Sequence, residues 1–281
     1  KSCWMNPYLA LIRPGNAILT AIAVIAGAFI AAGPEIFDYV EDIAICCFSA
    51  MLLVGGGNAL NDYNDRESDK ENHPNRPIPS GEISAETALN YSNILLGSGL
   101  IILWFAIANW LVFTIALIGV CTLIAYENGL KADGITGNIA VGFMSGAVFL
   151  YAGMAVENPG PTIWMFSLAF LATISREIVK DIQDLEGDRD RRTLPSRIGI
   201  SYSLNIAILI LLVAIGLSYT AITQFEGNAL NAYAGGITLA NAVMLFGIHN
   251  ARKEDYFMGQ KNIKQGMGVA MLAFIVAAGL S

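Results

Sequence analysis

Long apolar runs alternate with short polar segments along most of the chain. Nine of these runs are about as long as the roughly 20 residues that an α-helix needs to cross a bilayer core. They lie near 14–33, 42–60, 88–107, 110–126, 138–156, 162–179, 202–222, 228–248 and 264–280. Because the runs are continuously apolar and do not alternate residue by residue, they predict helices and not the strands of a β-barrel. The pattern predicts an all-α membrane protein with nine transmembrane helices.

Composition strengthens this prediction. Of the 281 residues, 55% are hydrophobic and 14% are charged, with a mean hydropathy of +0.55, whereas typical globular chains carry about 25% charged residues. An ordinary soluble fold is therefore excluded. The net charge of -7 also argues against nucleic acid as a partner, since a nucleic-acid-binding surface is basic. The expected surroundings are membrane lipids.

The positive charges are sorted by side. None of the 16 Lys and Arg falls in the polar segments near 34–41, 108–109, 157–161 and 223–227. All of them lie in the other set of segments, which includes the N-terminus and the long loops. Cytoplasmic loops are enriched in Lys and Arg. We therefore expect a cytoplasmic N-terminus, an external C-terminus and a functional site at the cytoplasmic face.

Three aspartates follow the second apolar run. Asp62, Asp65 and Asp69 are spaced i, i+3, i+7, which places them within roughly 60° on one face of a continuous helix. Like charges on neighbouring turns repel. The spacing therefore predicts a bound cation, although a single acidic motif of this kind is also typical of a solvated helix end.

The same spacing recurs at the end of the sixth run. Asp181, Asp184 and Asp188 each lie 119 residues after their counterparts, which is an offset of four runs. We interpret residues 1–281 as a single domain made of two similar four-helix halves, about 10–127 and 128–250, with a ninth helix near 264–280. Each half delivers one acidic motif to a shared site.

Carboxylate oxygens are the ligands that Mg²⁺ prefers, and substrate phosphates usually complete its coordination. The two motifs therefore predict a Mg²⁺-bridged diphosphate held by all six aspartates. Arg176 and Lys180 lie on the same side of the predicted helix as the second motif, where they would bind phosphate oxygens. An alternative is that these two cations only balance the aspartate charge.

Both motifs resemble those of the UbiA family of intramembrane prenyltransferases, and the resemblance covers essentially the whole chain. It rests on Asn61-Asp62-x-x-Asp65-x-x-x-Asp69, Asn75-Arg76-Pro77-Ile78-Pro79-Ser80-Gly81, Arg176-Glu177-x-x-Lys180-Asp181-x-x-Asp184-x-Glu186-Gly187-Asp188 and Thr193-Leu194-Pro195. A UbiA-like helical fold and prenyl transfer are what this resemblance implies.

The resemblance also implies roles for single residues. Asn61 would join the aspartates in holding Mg²⁺ and diphosphate, Lys131 would bind phosphate, and Tyr126 would lie near the reacting carbon. An aromatic ring attracts a cation, but Tyr126 could equally be an interfacial anchor.

Three further residues are expected near the substrate. Asn58 and Asn138 are polar neighbours of the motifs, although Asn138 could instead cap or pack a helix. Arg76 would contact phosphate, or else its Arg-Pro sequence fixes the turn of the loop.

The details look most like archaeal family members of ether-lipid synthesis. This implies geranylgeranyl diphosphate as donor and the free hydroxyl of geranylgeranylglyceryl phosphate as acceptor. A phosphate-bearing acceptor requires extra cations, for which the candidates are Arg13, Arg76, Arg191, Arg192 and Arg197.

Three alternatives stay open. The first is an aromatic acceptor, such as a quinone or chlorophyll precursor, attacked through a ring carbon after the same ionisation. The second is a transporter of a phosphorylated or acidic solute, although transporter sites lie at the midplane of the bilayer on broken helices, whereas these charges collect at one mouth. The third is a lipid-binding scaffold without catalytic activity, whose behaviour would not depend on Mg²⁺.

Overall fold

The computed structural model describes residues 6–107, 109–185 and 192–281, and within these ranges every regular element is helical. The α-helices, in chain order, are α1 (Pro7–Ile12), α2 (Pro14–Ala32), α3 (Val40–Asn64), α4 (Arg66–Asn72), α5 (Ala85–Ala106), α6 (Trp110–Asn128), α7 (Gly134–Ala155), α8 (Gly160–Gln183), α9 (Leu194–Ile198), α10 (Ile200–Thr220), α11 (Gly227–Arg252) and α12 (Tyr256–Ala278). Short 3-10 helices cover Gly33–Tyr39, Leu130–Ala132 and Ala221–Gln224.

The long helices of the described chain coincide with the apolar runs. Those of 19 to 26 residues are α2, α3, α5, α6, α7, α8, α10, α11 and α12. The largest difference is at α12, which begins well before the expected residue 264. The Asp255 carboxylate accepts a hydrogen bond from the backbone N–H of Met258 at 3.0 Å, and this N-cap extends the helix into a polar stretch that the hydropathy pattern leaves out.

Seven segments of the described chain are long and apolar enough to cross a membrane. They are Pro14–Asn64, Ala85–Ala106, Trp110–Asn128, Gly134–Ala155, Gly160–Gln183, Ile200–Gln224 and Gly227–Arg252. The first contains two helices, α2 and α3, joined by the 3-10 helix Gly33–Tyr39. The chain is therefore an all-helical integral membrane protein, and nine membrane crossings stay a prediction.

Helix α2 connects the two parts of the bundle. It packs against α3 and α7 on one side and against α8 and α12 on the other, so it touches helices from both of the predicted halves. Apolar clusters fill the interior around it. One joins α2, α3 and α7, and another joins α8, α11 and α12.

Helices α7 and α8 approach each other unusually closely. A Cβ atom at Gly146 would lie 2.7 Å from the carbonyl oxygen of Phe166, closer than real side-chain atoms come to backbone. Glycine therefore lets the two backbones meet. The close approach also brings the amide of Asn138 on α7 to the carboxylate of Asp181 on α8, with 2.8 Å between the Asn138 Nδ2 and Asp181 Oδ2 atoms.

Candidate active site

The first aspartate motif is divided between two helices. Helix α3 ends at Asn64 and α4 begins at Arg66, with Asp65 between them at φ -83° and ψ 2°. The expectation of one continuous helix through the motif is therefore wrong at Asp65, although the Asp65 and Asp69 N–H groups still donate to the carbonyl oxygens four residues earlier. The physical reason is that stacked like charges repel. Asp62 and Asp69 meet the same arginine, Arg76, whereas Asp65 is paired with Lys131.

Two arginines neutralise the outer pair of this motif. Asp62 and Asp69 are 3% and 4% exposed, and such buried charges are stable only when paired. The Nη1 atom of Arg76 lies 2.5 Å from Asp69 Oδ2 and 3.4 Å from Asp62 Oδ1. Arg13 also donates a hydrogen bond to Asp62 Oδ1. Arg76 thus binds the motif itself, in addition to any role in the loop turn.

Arg13 reaches this position because of an uncommon backbone conformation. It lies between α1 and α2 at φ +54° and ψ 74°, in the left-handed region. A non-glycine residue held in that region costs about 1–3 kcal/mol and is found mostly at functional sites. The turn directs the guanidinium from the start of α2 to the end of α3.

Lys131 binds the middle of the first motif. It lies in the 3-10 helix that follows α6, and its Nζ atom is 2.7 Å from both carboxylate oxygens of Asp65. The same Nζ atom donates to Asn61 Oδ1 at 3.1 Å. The structure therefore brings together three residues that the resemblance assigns to one site. Charge-assisted hydrogen bonds of this kind are the strong ones.

The second motif lies at the end of α8. Asp181 is in its last turn, and Asp184 is the first residue after Gln183, where the helix ends. Asn138, itself 7% exposed, donates to Asp181 Oδ2, so it orients the motif rather than merely capping α7. Asp188 lies outside the described residues.

The cations of α8 share one acidic partner. Arg176 Nη1 is 2.6 Å from Glu177 Oε1, and Lys180 Nζ is 3.5 Å from Glu177 Oε2. Glu177 and Lys180 line the same polar cavity as the second motif. Arg176 lies one turn deeper and touches that cavity through Glu177.

This polar cavity has a volume of about 230 Å³. Both aspartates of the second motif that the structure describes line it, together with cations and amides from three other elements. Its walls are Asn61, Tyr126, Lys131, Gly134, Gly137, Asn138, Glu177, Lys180, Asp181, Asp184 and Thr193. Acidic and basic side chains therefore surround the same small cavity, which is the arrangement needed to bind a diphosphate together with its metal cations.

A second, mostly apolar cavity adjoins the first. It has a volume of about 350 Å³, within the range of about 300–1,000 Å³ of ligand pockets. It is bounded by α2, α3, α6 and α7, and Leu53, Ile115 and Met144 are among its walls. Asn61 and Tyr126 line both cavities. A ligand with a polar head and an apolar chain could occupy the two together.

Asn58 also lines the apolar cavity, but its amide is engaged locally. Its Nδ2 atom donates to the backbone oxygen of Ile12 at 2.8 Å. This bond ties the end of α1 to α3 immediately before Arg13. In the structure Asn58 therefore supports the position of Arg13, and contact with a substrate remains a prediction.

Backbone pairing holds the segment after the second motif against the site. The Gly134 N–H donates to Arg192 O at 3.2 Å, and the Arg192 N–H donates to Ala132 O at 3.1 Å. A Cβ atom at Gly134 would lie 2.5 Å from Thr193 Cα. This close contact places Thr193, which is 3% exposed, in the wall of the polar cavity.

Three residues of the site are missing from the sequence-based assignment: Glu127, Glu177 and Thr193. Glu177 and Thr193 stand within the motifs that carry the resemblance, so their place in those motifs was a usable signal. Glu127 follows Tyr126 directly, and its side chain is only 2% exposed. A lone acidic residue at the end of an apolar run looks like a membrane boundary, and only the fold shows that it faces a cavity.

The donor set suits Mg²⁺ completed by a substrate. Among the described residues, no three acidic, imidazole or thiol side chains are arranged to hold one ion by themselves. Asn61, Asp181 and Asp184 line the polar cavity, and Lys131 links Asp65 to it. Mg²⁺ commonly takes one or two carboxylates, several waters and phosphate oxygens. These residues therefore fit a Mg²⁺–diphosphate pair better than a bare metal cage.

Comparison with known sequences identifies relatives over nearly the full length. The family model of the UbiA prenyltransferase family matches residues 20–275. A digeranylgeranylglyceryl phosphate synthase of Methanothrix thermoacetophila is 38% identical, over 95% of this chain and 97% of its own. A protein of the same name from Methanococcus aeolicus is 35% identical, over 96% of this chain and 97% of its own.

Solved structures share the architecture. One described as a digeranylgeranylglyceryl phosphate synthase in membranes superposes with a TM-score of 0.88 at 32% identity, over 98% of both chains. A UbiA homologue of Archaeoglobus fulgidus bound to DMAPP and Mg²⁺ has a TM-score of 0.70 at 18% identity, over 94% of this chain and 99% of its own. The latter shows likeness of fold alone. By sequence and fold, this chain is a membrane-embedded member of the UbiA prenyltransferase family.

Proposed function

We propose that this prenyltransferase is a digeranylgeranylglyceryl phosphate synthase. It transfers a geranylgeranyl group from geranylgeranyl diphosphate to the free hydroxyl of geranylgeranylglyceryl phosphate, with Mg²⁺ as cofactor. The observation that carries this proposal is the pair of adjoining cavities that share Asn61 and Tyr126. The names of its relatives, which match over nearly their whole length, support the choice of substrates.

The polar cavity suits the diphosphate of the donor. Lys131 and Lys180 bring ammonium groups to it, and Asn61 adds an amide. Asp65 and Asp184, with the other motif aspartates, would hold Mg²⁺. The bound cation would neutralise the diphosphate so that it departs more readily. The residues of the chain position the leaving group, because the lysines pair with its oxygens.

The apolar cavity suits the prenyl chain and the reaction that follows departure of the diphosphate. The bond between C1 of the donor and the diphosphate oxygen breaks, and its electron pair leaves with the diphosphate. The resulting allylic cation is stabilised by the face of the Tyr126 ring. The apolar walls exclude the water that would otherwise capture it. The acceptor oxygen then bonds to C1.

Arg13 is the best-placed cation for the phosphate of the acceptor. Although it also pairs with Asp62, it lines the apolar cavity together with Asn61, whereas Arg197 is paired with Asp133 and lines neither cavity. Arg76 is held between two aspartates. Arg191 lies outside the described residues. The strained backbone of Arg13 agrees with a functional reason for its position.

The placement of charge supports a cytoplasmic site. All Lys and Arg lie in one set of polar segments, which the positive-inside rule assigns to the cytoplasm. With nine crossings, the N-terminus is cytoplasmic and the C-terminus external. The two acidic motifs then belong to related four-helix halves, and α12 completes the bundle by packing on α8 and α11.

The test offers the purified protein radiolabelled geranylgeranyl diphosphate and, in equal amounts, geranylgeranylglyceryl phosphate and an aromatic quinone precursor. We expect label in the ether lipid only. Label in the aromatic compound, without labelled ether lipid, would show that the acceptor is aromatic and would contradict the proposed acceptor. Absence of any transfer, together with uptake of a phosphorylated solute by vesicles, would favour a transporter instead.

Matched variants test the acidic motifs in the same assay. Asp65→Asn and Asp184→Asn preserve size and remove charge, and we expect both to abolish transfer. Asp38→Asn is the control, since Asp38 is an exposed acid in the 3-10 helix Gly33–Tyr39. Transfer that survives both motif substitutions would contradict a Mg²⁺–diphosphate site.

A further inference from the structure

Glu127 is a buried acid that the reaction described so far does not use. It lies in the last turn of α6, directly after Tyr126, with 2% of its side chain exposed. It lines the polar end of the otherwise apolar cavity, as do Arg13 and Asn61. Burying a carboxylate is costly, so a buried acid in a cavity wall is a candidate for a functional role.

Lys131 is a cation beside Glu127, and Asp65 engages it more closely. Lys131 Nζ lies 3.8 Å from Glu127 Oε2 but 2.7 Å from each oxygen of Asp65. The contact with Glu127 is therefore longer than a hydrogen bond. It still places a positive charge beside the Glu127 carboxylate. The carboxylate keeps capacity to accept a further hydrogen bond, because an ionised carboxylate has about four lone-pair sites.

Transfer to a hydroxyl produces a proton that must leave a site without bulk water. When the acceptor oxygen bonds to C1 of the prenyl cation, that oxygen becomes positively charged and strongly acidic. The motif aspartates are committed to Mg²⁺ in the proposed function. A side-chain base within hydrogen-bond reach of the acceptor oxygen would take this proton, and such a base typically contributes about 10²–10⁴-fold to the rate.

We propose that the Glu127 carboxylate is this base. Resting on the proposed function, the assignment places the acceptor hydroxyl between Tyr126, beside the cation, and Glu127. The C1–oxygen bond of the donor breaks as the diphosphate leaves with the electron pair. The acceptor oxygen bonds to C1, and its hydrogen passes as a proton to Glu127. The proton then leaves through the polar mouth, which restores the carboxylate.

A purely positioning role predicts a different defect. If Glu127 served only to hold Lys131, its loss would disturb the diphosphate and slow ionisation of the donor. If Glu127 is the base, ionisation continues and only capture by the acceptor fails. Ionisation is measurable without transfer, as movement of ¹⁸O from the bridging to the non-bridging positions of the donor diphosphate in the presence of a deoxy acceptor.

The test compares Glu127→Gln with Glu127→Asp and the wild-type protein for transfer and for ¹⁸O exchange. We expect Glu127→Gln to lower kcat for transfer by about 10²–10⁴-fold while exchange continues at the wild-type rate. Glu127→Asp keeps a carboxylate and should recover part of the transfer. Glu86→Gln, at the exposed start of α5, is the matched control and should behave as wild type.

Two results would overturn the assignment. One is transfer by Glu127→Gln at the wild-type rate. The other is exchange that falls in parallel with transfer, which would make Glu127 a positioning residue for Lys131. The Tm of each variant in detergent verifies separately that it is folded. If the proposed function is wrong, the wild-type protein will show ¹⁸O exchange but form no ether lipid. The assignment of Glu127 as the base would then fall with the proposed function.

Discussion

Replacing Gly134 with alanine tests whether the segment after the second motif belongs to the site. The new Cβ would lie 2.5 Å from Thr193 Cα and 2.9 Å from Leu194 N. Both neighbours are backbone atoms, so the segment itself must move. Overpacking costs about 1–3 kcal/mol, and two stretched backbone hydrogen bonds add about 0.5–1.5 kcal/mol each.

Alanine gains up to about 1 kcal/mol over glycine within a helix, so the net destabilisation of Gly134→Ala is about 1–6 kcal/mol. We expect a lower Tm in detergent and a larger relative loss of transfer, because Thr193 moves out of the polar cavity wall. Gly216→Ala is the control, since nothing lies within 4 Å of its Cβ position. Wild-type Tm and transfer for Gly134→Ala would refute the proposed role of this contact.

Other consequences follow from the site. Asn138→Ala removes the hydrogen bond to Asp181. The Mg²⁺ concentration for half-maximal transfer should rise about 10–100-fold, because residues that orient metal ligands affect metal affinity by about this much. An unchanged Mg²⁺ dependence would contradict this. Chelation of divalent cations should stop transfer and added Mg²⁺ restore it; persistence of transfer would argue for a metal-independent reaction. Arg13→Gln should raise the KM of the acceptor more than that of the donor, and equal effects would count against a phosphate contact. A hydrogen bond from Thr136 is the main cause that lowers the pKa of the Asp133 carboxyl. This depressed folded-state pKa stabilises the protein above the usual aspartate range near about 3.9, and the stabilisation is lost as the pH falls through the lower folded-state value. Tm curves of wild type and Asp133→Asn should therefore converge in strong acid, and a constant difference would refute the assignment.

The helices were predictable because their signal is local. Each apolar run is long enough to decide its own structure, and the observed helices follow these runs to within a few residues at most ends. The spacing of the aspartates likewise pointed to the ends of α3 and α8, and both of these ends line the polar cavity. The family resemblance identified Lys131 as a site residue. Lys131 and Asp65 are far apart in the sequence, so no local pattern predicts their ion pair.

What the sequence did not predict depends on contacts between distant segments. Helix periodicity treats Asp62 and Asp69 alike and cannot show that Arg76 bridges them. The contact of Gly134 with Thr193 is equally non-local. These contacts depend on which distant segments of the chain pack together, and a single sequence does not reveal that packing.

The most direct test of the account is a structure with Mg²⁺ and a non-reactive thio analogue of geranylgeranyl diphosphate. We expect density for the diphosphate and metal between Asn61 and Asp184, with Lys131 on a phosphate oxygen. The prenyl chain should pass Tyr126 into the apolar cavity between α3 and α6. A chain lying instead in the outer groove beside Tyr202, or a diphosphate bound away from both motifs, would contradict it.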